Sequence, residues 1–224
     1  MFCQITFNDA WNCKNAAAIS FLSWNMAARS ISSPDGCVRP LILFSHGRNG
    51  DPSSCSVLCI RLARAGFLIV APHHEDRAVI RHQEQAAERV DDAAAVLDRL
   101  KLHHDRKRIG VAGHSFGGVT AAELGSQDRR VRAVLSMAGT PDLGTMRALA
   151  VPTLVMAGTR DPIETVVNSR TSEGAIASTV PHRLLVVQGA RHGQLIDGCS
   201  AIGACERVGR AAEEFFLEYL AGVP

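Results

Sequence analysis

One stretch of the chain carries the residue types of nucleophilic catalysis: Arg108-Ile109-Gly110-Val111-Ala112-Gly113-His114-Ser115-Phe116-Gly117-Gly118, a serine between glycines in the pattern G-x-S-x-G at the end of an apolar run. A serine hydroxyl is a weak nucleophile until a neighbouring base takes its proton. The pattern matters because it presents the hydroxyl on a strained strand-to-helix turn, where Cβ atoms two residues before and after the serine would collide with neighbouring backbone. Glycine at both positions removes those atoms. A β-type run precedes Ser115 and the residues from Phe116 to Gly125 read as a short helix, the context that the motif requires. The chemistry such a turn serves is attack on an acyl carbonyl.

A base and an acid that orients it are expected downstream, each in the loop after a later strand. Val151 to Ala157 (VPTLVMA) is an apolar run ending in Gly158-Thr159-Arg160-Asp161, and Arg183 to Val187 (RLLVV) is another ending in Gly189-Ala190-Arg191-His192-Gly193. Taken singly, Asp161 before Pro162 is also what a plain turn looks like, and His192 is also what a surface histidine looks like. Taken jointly, Ser115, Asp161 and His192 come in a fixed order at the C-terminal ends of three strands, where open parallel sheets place their ligands. The expectation is a Ser115–His192–Asp161 triad.

Acyl transfer passes through a tetrahedral intermediate whose negative oxygen needs preorganised donors. One is expected to be the backbone N–H of Phe116, the residue after the serine. The other should come from the loop after the strand Leu41 to Phe44, which reads Ser45-His46-Gly47-Arg48-Asn49-Gly50. Arg48 N–H is the expected donor, with Asn49 as the alternative. His46 is read as a structural residue that holds this loop through side-chain hydrogen bonds.

The elements that must position these residues alternate along the chain. Strands are expected near 41–44, 67–71, 108–112, 131–137, 151–157 and 183–187, and helices near 55–65, 80–101, 116–125 and 206–220. That alternation is the signature of an α/β fold, a mostly parallel sheet with helices on both faces. Helix 80–101 shows the helical period, with Val90, Ala93, Ala94, Leu97 and Leu100 on one stripe; its charged residues are read as a solvated face. The interval from Gly139 to Val151 is too short for a helical lid domain. With 224 residues, 46% of them hydrophobic and 21% charged, the chain fits one domain with a single core. A net charge of +2 gives no reason to expect nucleic acid or a membrane as partner.

On these residues the chain resembles the α/β-hydrolases of the dienelactone-hydrolase-like group, which includes the platelet-activating-factor acetylhydrolases and related carboxylesterases. The similar segments are Pro40 to Gly47, Leu62 to His74, Gly113 to Gly118 and Gly189 to His192, with further echoes in Arg89-Val90-Asp91-Asp92, in Val96 to Leu100 and in Cys199 after the histidine loop. The resemblance implies an α/β-hydrolase fold acting on a small-molecule ester; reduced N-terminal strands, no cofactor and a monomer or weak homodimer are further expectations. It also shows departures. Dienelactone hydrolases carry a cysteine nucleophile, whereas Ser115 points to ordinary ester hydrolysis. In the acetylhydrolases the acid follows the strand after the nucleophile helix, where this chain has Leu135-Ser136-Met137-Ala138-Gly139. No acid stands there, and Asp142 is the nearest; Asp161 is preferred and Asp142 stays open as the alternative. Thioester cleavage or acyl transfer to an alcohol would use the same groups, and a non-catalytic binding protein on this fold would leave the three residues without a purpose.

Residues 1–38 are expected to form an N-terminal edge segment ahead of a catalytic domain over 39–224, with an edge strand near Ile19 to Trp24. Ala16 to Ala28 is broken by Ser20, Ser23 and Asn25, too short and polar to span a bilayer; as a leader it is weak, which leaves export open beside a cytoplasmic location. Seven cysteines are an odd number in a domain large enough to fold without staples. Cys199 and Cys205 are close enough in sequence to bridge if the chain turns back between them. The spacings lack a metal-site pattern, and the adjacent pairs His73-His74 and His103-His104 would diverge on regular elements, so no metal is expected.

Overall fold

The computed structural model describes residues 18–22, 39–76, 82–100, 104–196 and 203–221. The run Arg39–Ser45 is a strand buried along its whole length, as a strand covered on both faces must be. Its side chains divide by the two-residue period of a strand: Ile42 and Phe44 enter one apolar cluster, and Leu41 and Leu43 the opposite one. The helices are shared out between these two faces.

In chain order the elements are β1 (Ala18–Leu22), β2 (Arg39–Ser45), α1 (Ser56–Arg64), β3 (Leu68–Pro72), α2 (His82–Arg99), β4 (His104–His114), α3 (Phe116–Gln127), β5 (Val131–Met137), α4 (Leu143–Ala148), β6 (Thr153–Gly158), α5 (Val166–Glu173), β7 (His182–Val187) and α6 (Ala204–Leu220). The seven strands form one sheet in the order β1-β3-β2-β4-β5-β6-β7, every pair parallel. From α1, Leu58, Cys59, Leu62 and Ala63 share a core with Val208, Ala212, Phe215, Phe216 and Leu220 of α6. On the other face Val90, Ala93, Leu97 and Leu100 of the α2 stripe pack with Ala121, Ala122 and Leu124 of α3. Each such large apolar side chain contributes about 1.5–3 kcal/mol when fully buried, so both faces of the sheet hold it in place.

Strand order reverses between β2 and β4. The chain leaves β2 toward β3 through α1 and leaves β4 toward β5 through α3, and those two helices lie on opposite faces. A crevice at the carboxyl ends of two such strands is where open α/β sheets bind ligands. Ser45 ends β2, His114 ends β4, and Ser45 is in register with Gly113.

The edge strand is present as β1, which pairs in parallel with β3; Trp24 lies outside the described residues. Helices α4 and α5 were not expected from the sequence. Both are short, six and eight residues, and each starts at a side-chain cap, Asp142 and Thr165 respectively, rather than from an apolar stripe. The expectation of a solvated charged face on α2 needs correcting at one residue: Arg89 is only 2% exposed, because it sits beside the apolar stripe and turns inward onto polar backbone at the strand ends.

Candidate active site

The residue that follows β4 is Ser115, and its backbone takes φ 56° and ψ −123°. A non-glycine residue in that region carries about 1–3 kcal/mol of strain and persists only where its surroundings fix it. They do so here: Ser115 N–H donates to Met137 O at 2.8 Å, and Ser115 O accepts from Gly118 N–H at 2.8 Å. The glycine requirement is steric. A Cβ on Gly113 would stand 2.0 Å from Gly117 O, and one on Gly117 would stand 2.0 Å from Ser45 O. The turn is therefore packed against the end of β2, which places the 46–50 loop beside Ser115; a Cβ on Gly47 would lie 3.4 Å from Ser115 Cβ.

His192 opens a short 3₁₀ turn after β7, and Asp161 follows β6. These strands are neighbours, and the two side chains meet: His192 Nδ1 and Asp161 Oδ2 are 2.7 Å apart. Nδ1 must donate to a carboxylate, so His192 holds its proton there and Nε2 is the acceptor nitrogen. The Asp161 side chain is fully buried, and its second oxygen accepts from Ile163 N–H at 2.8 Å and Glu164 N–H at 2.9 Å. The carboxylate is thus fixed by three donors. Among the described residues no hydrogen bond joins Ser115 to His192; hydrogen bonds of this kind often tighten only when a substrate is bound. His114, next to the serine, reaches the histidine loop. Its Nε2–H donates to His192 O at 2.9 Å, and the two rings are 4.7 Å apart between centroids.

Asp142 is engaged elsewhere. It caps α4, accepting from Gly144 N–H at 2.8 Å, Thr145 N–H at 3.1 Å and the Thr145 hydroxyl at 2.6 Å. Those bonds hold its carboxyl below the usual carboxylate range. Glu164, by contrast, is raised by burial and accepts a hydrogen bond from the Thr140 hydroxyl. That bond ties the loop after β5 to the loop after β6.

The loop after β2 is held by a polar cluster. His46 Nδ1–H donates to Gly47 O at 2.8 Å, and His46 Nε2 accepts His74 N–H at 2.9 Å. Burial lowers the His46 pKa to about 4 and that of His114 to about 4 as well. Both imidazoles are therefore neutral at pH 7, and each holds backbone through a fixed tautomer. Asn49 takes a left-handed conformation, φ 52°, which asparagine tolerates better than most residues. Phe116, first residue of α3, has two cations over its ring: the Arg48 and Arg89 guanidinium carbons stand 4.6 and 4.7 Å from its ring centroid. Arg48 itself is exposed at the turn.

Ser115, Phe116, Arg48, Asp161 and His192 all lie at the carboxyl edge of one sheet, though they are spread from residue 48 to residue 192. Sequence reasoning missed four further residues around them: His114, Glu164, Arg89 and Asp76. For Arg89 a signal existed, since Gln85, Arg89 and Asp92 continue at helical spacing beside the apolar stripe of α2. Among the described residues no cluster of three His, Cys, Asp or Glu side chains could hold a metal ion, and no helix is long and apolar enough to cross a membrane. Cys205 is disulfide-bonded; Cys199 lies outside the described residues.

A family model described as "Alpha/beta hydrolase family" matches residues 41–198. A cutinase from Thermobifida alba is 27% identical over 161 residues, 67% of this chain and 52% of that protein. A platelet-activating factor acetylhydrolase from Cavia porcellus is 26% identical over 149 residues, 44% of this chain and 34% of that protein. The chain thus spans about half the length of the first relative and a third of the second. Among solved structures, a ferulic acid esterase from Streptomyces cinnamoneus superposes with a TM-score of 0.68 at 23% identity, over 86% of this chain and 70% of that one. That likeness is one of fold.

Proposed function

The chain belongs to the alpha/beta hydrolase family, and from that premise we propose that it is a serine carboxylic-ester hydrolase acting on small to medium esters. The observation that carries the proposal is the 2.7 Å bond between His192 Nδ1 and Asp161 Oδ2 at the edge of the sheet that presents Ser115 on its strained turn. His192 Nε2 takes the proton of Ser115 Oγ as that oxygen attacks the ester carbonyl carbon. The carbonyl oxygen becomes negative and accepts from Phe116 N–H and Arg48 N–H. As the intermediate collapses, the bond to the alcohol oxygen breaks, and that oxygen receives the proton from His192. Water then repeats the cycle on the acyl-enzyme, losing its proton to His192, and Ser115 leaves with the proton returned. Asp161 keeps its charge throughout and steadies the imidazolium.

Two things support the substrate class. The connection from β5 to β6 holds only the six-residue α4, which leaves the site without a helical lid from that segment. The relatives matched by sequence are a cutinase and acetylhydrolases, names that belong to ester hydrolases. No group in the proposed reaction requires a cofactor. The test is hydrolysis of p-nitrophenyl acetate and butyrate. The wild type should turn both over, and Ser115→Ala should lose about 10³-fold or more of kcat. Equal rates in the two proteins would overturn the proposal.

A further inference from the structure

We propose that Arg89 and Asp76 are the positioning pair of the oxyanion hole; this rests on the reading of the site as a serine ester hydrolase. A guanidinium that is 2% exposed has lost its hydration, and its partners must offset that loss. Its partners all belong to one place. Nε–H and Nη2–H donate to the two oxygens of Asp76 at 2.9 and 2.6 Å, Nη1–H donates to His46 O at 2.7 Å, and Nη2–H to Gly47 O at 3.2 Å. Asp76 completes the arrangement by accepting Asn49 N–H at 2.5 Å. The pair therefore holds the carbonyls of residues 46 and 47 and the N–H of residue 49, on either side of Arg48.

Peptide planarity turns this into a statement about Arg48. In a trans peptide the carbonyl of residue i and the N–H of residue i+1 point in opposite directions, and no described peptide bond is cis. Gly47 O is drawn inward by three donors: Arg89 Nη2–H at 3.2 Å, His46 Nδ1–H at 2.8 Å and Gly50 N–H at 3.0 Å. Arg48 N–H, in the same peptide plane, therefore points the opposite way, away from Arg89. The same guanidinium lies 4.7 Å from the Phe116 ring centroid, so one side chain braces both segments whose N–H groups meet the oxyanion. Oxyanion donors act by being fixed before charge develops. A buried ion pair on their supporting peptide supplies that rigidity without touching substrate. Burial alone would raise the Asp76 carboxyl, but the hydrogen bonds from Arg89 and Asn49, with the Arg89 charge, together bring it below the usual range.

The test compares kcat and KM for p-nitrophenyl butyrate, per active site titrated with a fluorophosphonate, in wild type, Arg89→Lys, Arg89→Met and Asp76→Asn. Per-site rates count only folded molecules, so lost stability does not enter. Loss of preorganisation should lower kcat about 100-fold in either Arg89 variant, with KM within about twofold. Asp76→Asn, which keeps the guanidinium and its bonds to the loop, should lose about tenfold. Affinity for a trifluoromethyl ketone, which Ser115 converts to a hemiketal oxyanion, should fall in parallel with kcat. A merely structural role would lower the titratable fraction and leave kcat per site and ketone affinity unchanged, and that result overturns the inference. If Ser115→Ala keeps wild-type turnover, the ester-hydrolase reading itself fails, an outcome distinct from unchanged Arg89 variants in a Ser115-dependent enzyme.

Discussion

Asp161 Oδ2 and His192 Nδ1, 31 positions apart in the chain, lie 2.7 Å from one another, and the other Asp161 oxygen is occupied by two backbone N–H groups. A carboxylate so fixed gives the imidazole one tautomer and one direction. Asp142, the other acid near enough in sequence to have served, has its oxygens on the first turn of α4. This contrast supports Asp161, rather than Asp142, as the acid of the proposed triad.

Asp161→Asn should lower kcat by about 10²–10⁴-fold, since an amide no longer holds the productive tautomer. Asp142→Asn should leave turnover close to wild type, with at most a small stability loss at the α4 cap. Steady-state rates of the two variants check this; a large loss in Asp142→Asn with a near-native Asp161→Asn would reverse the assignment.

Gly117→Ala offers a test of the turn itself. In an ordinary helix the change stabilises by about 0.5–1 kcal/mol. Here the new Cβ would stand 2.0 Å from Ser45 O, so the expected sign is opposite. Thermal unfolding should show a lower Tm, with reduced labelling by fluorophosphonate; an unchanged or higher Tm would mean that the turn is not packed against β2 as described.

Stability should depend on pH through His46 and His114, whose pKa values burial lowers to about 4. Unfolded histidines titrate near 6.5. Between about pH 6.5 and 4 the unfolded chain therefore takes up protons that the folded one refuses, so stability falls as pH falls through that window and levels off below it. Each histidine contributes on the order of 3 kcal/mol over the full window. Denaturant unfolding at pH 7, 6, 5 and 4 measures the slope. His114→Gln should make it shallower, and a flat profile would contradict the burial of neutral imidazoles.

Thiol titration of protein purified without reductant and denatured in guanidinium should find at most five free thiols, because Cys205 is disulfide-bonded and the chain has seven cysteines. Cys55 and Cys59 are fully buried and should react only after denaturation. Seven reactive thiols would contradict the bond.

Much of the fold is legible in the sequence because the signals are local. Six strands show as apolar runs, and the glycines at 113 and 117 mark where two backbones approach too closely for a side chain. The order Ser115, Asp161, His192 follows from the strands that carry them. What was hidden depends on tertiary contact. Arg89 reads as one charge among several on α2, and only the fold shows that Asp76, His46 and Gly47 surround it. Glu164 and Thr140 meet across two loops whose sequences say nothing of one another. Helices α4 and α5 escaped because a cap and one or two turns leave too short a stripe to detect.

The most direct test of the central claim is covalent labelling with a fluorophosphonate, read by intact mass and peptide mapping. One adduct per chain is expected, on Ser115, with no adduct in Ser115→Ala and parallel loss of ester hydrolysis in both the labelled protein and the variant. An adduct on another residue, or ester hydrolysis that persists after Ser115 is fully modified, would contradict it.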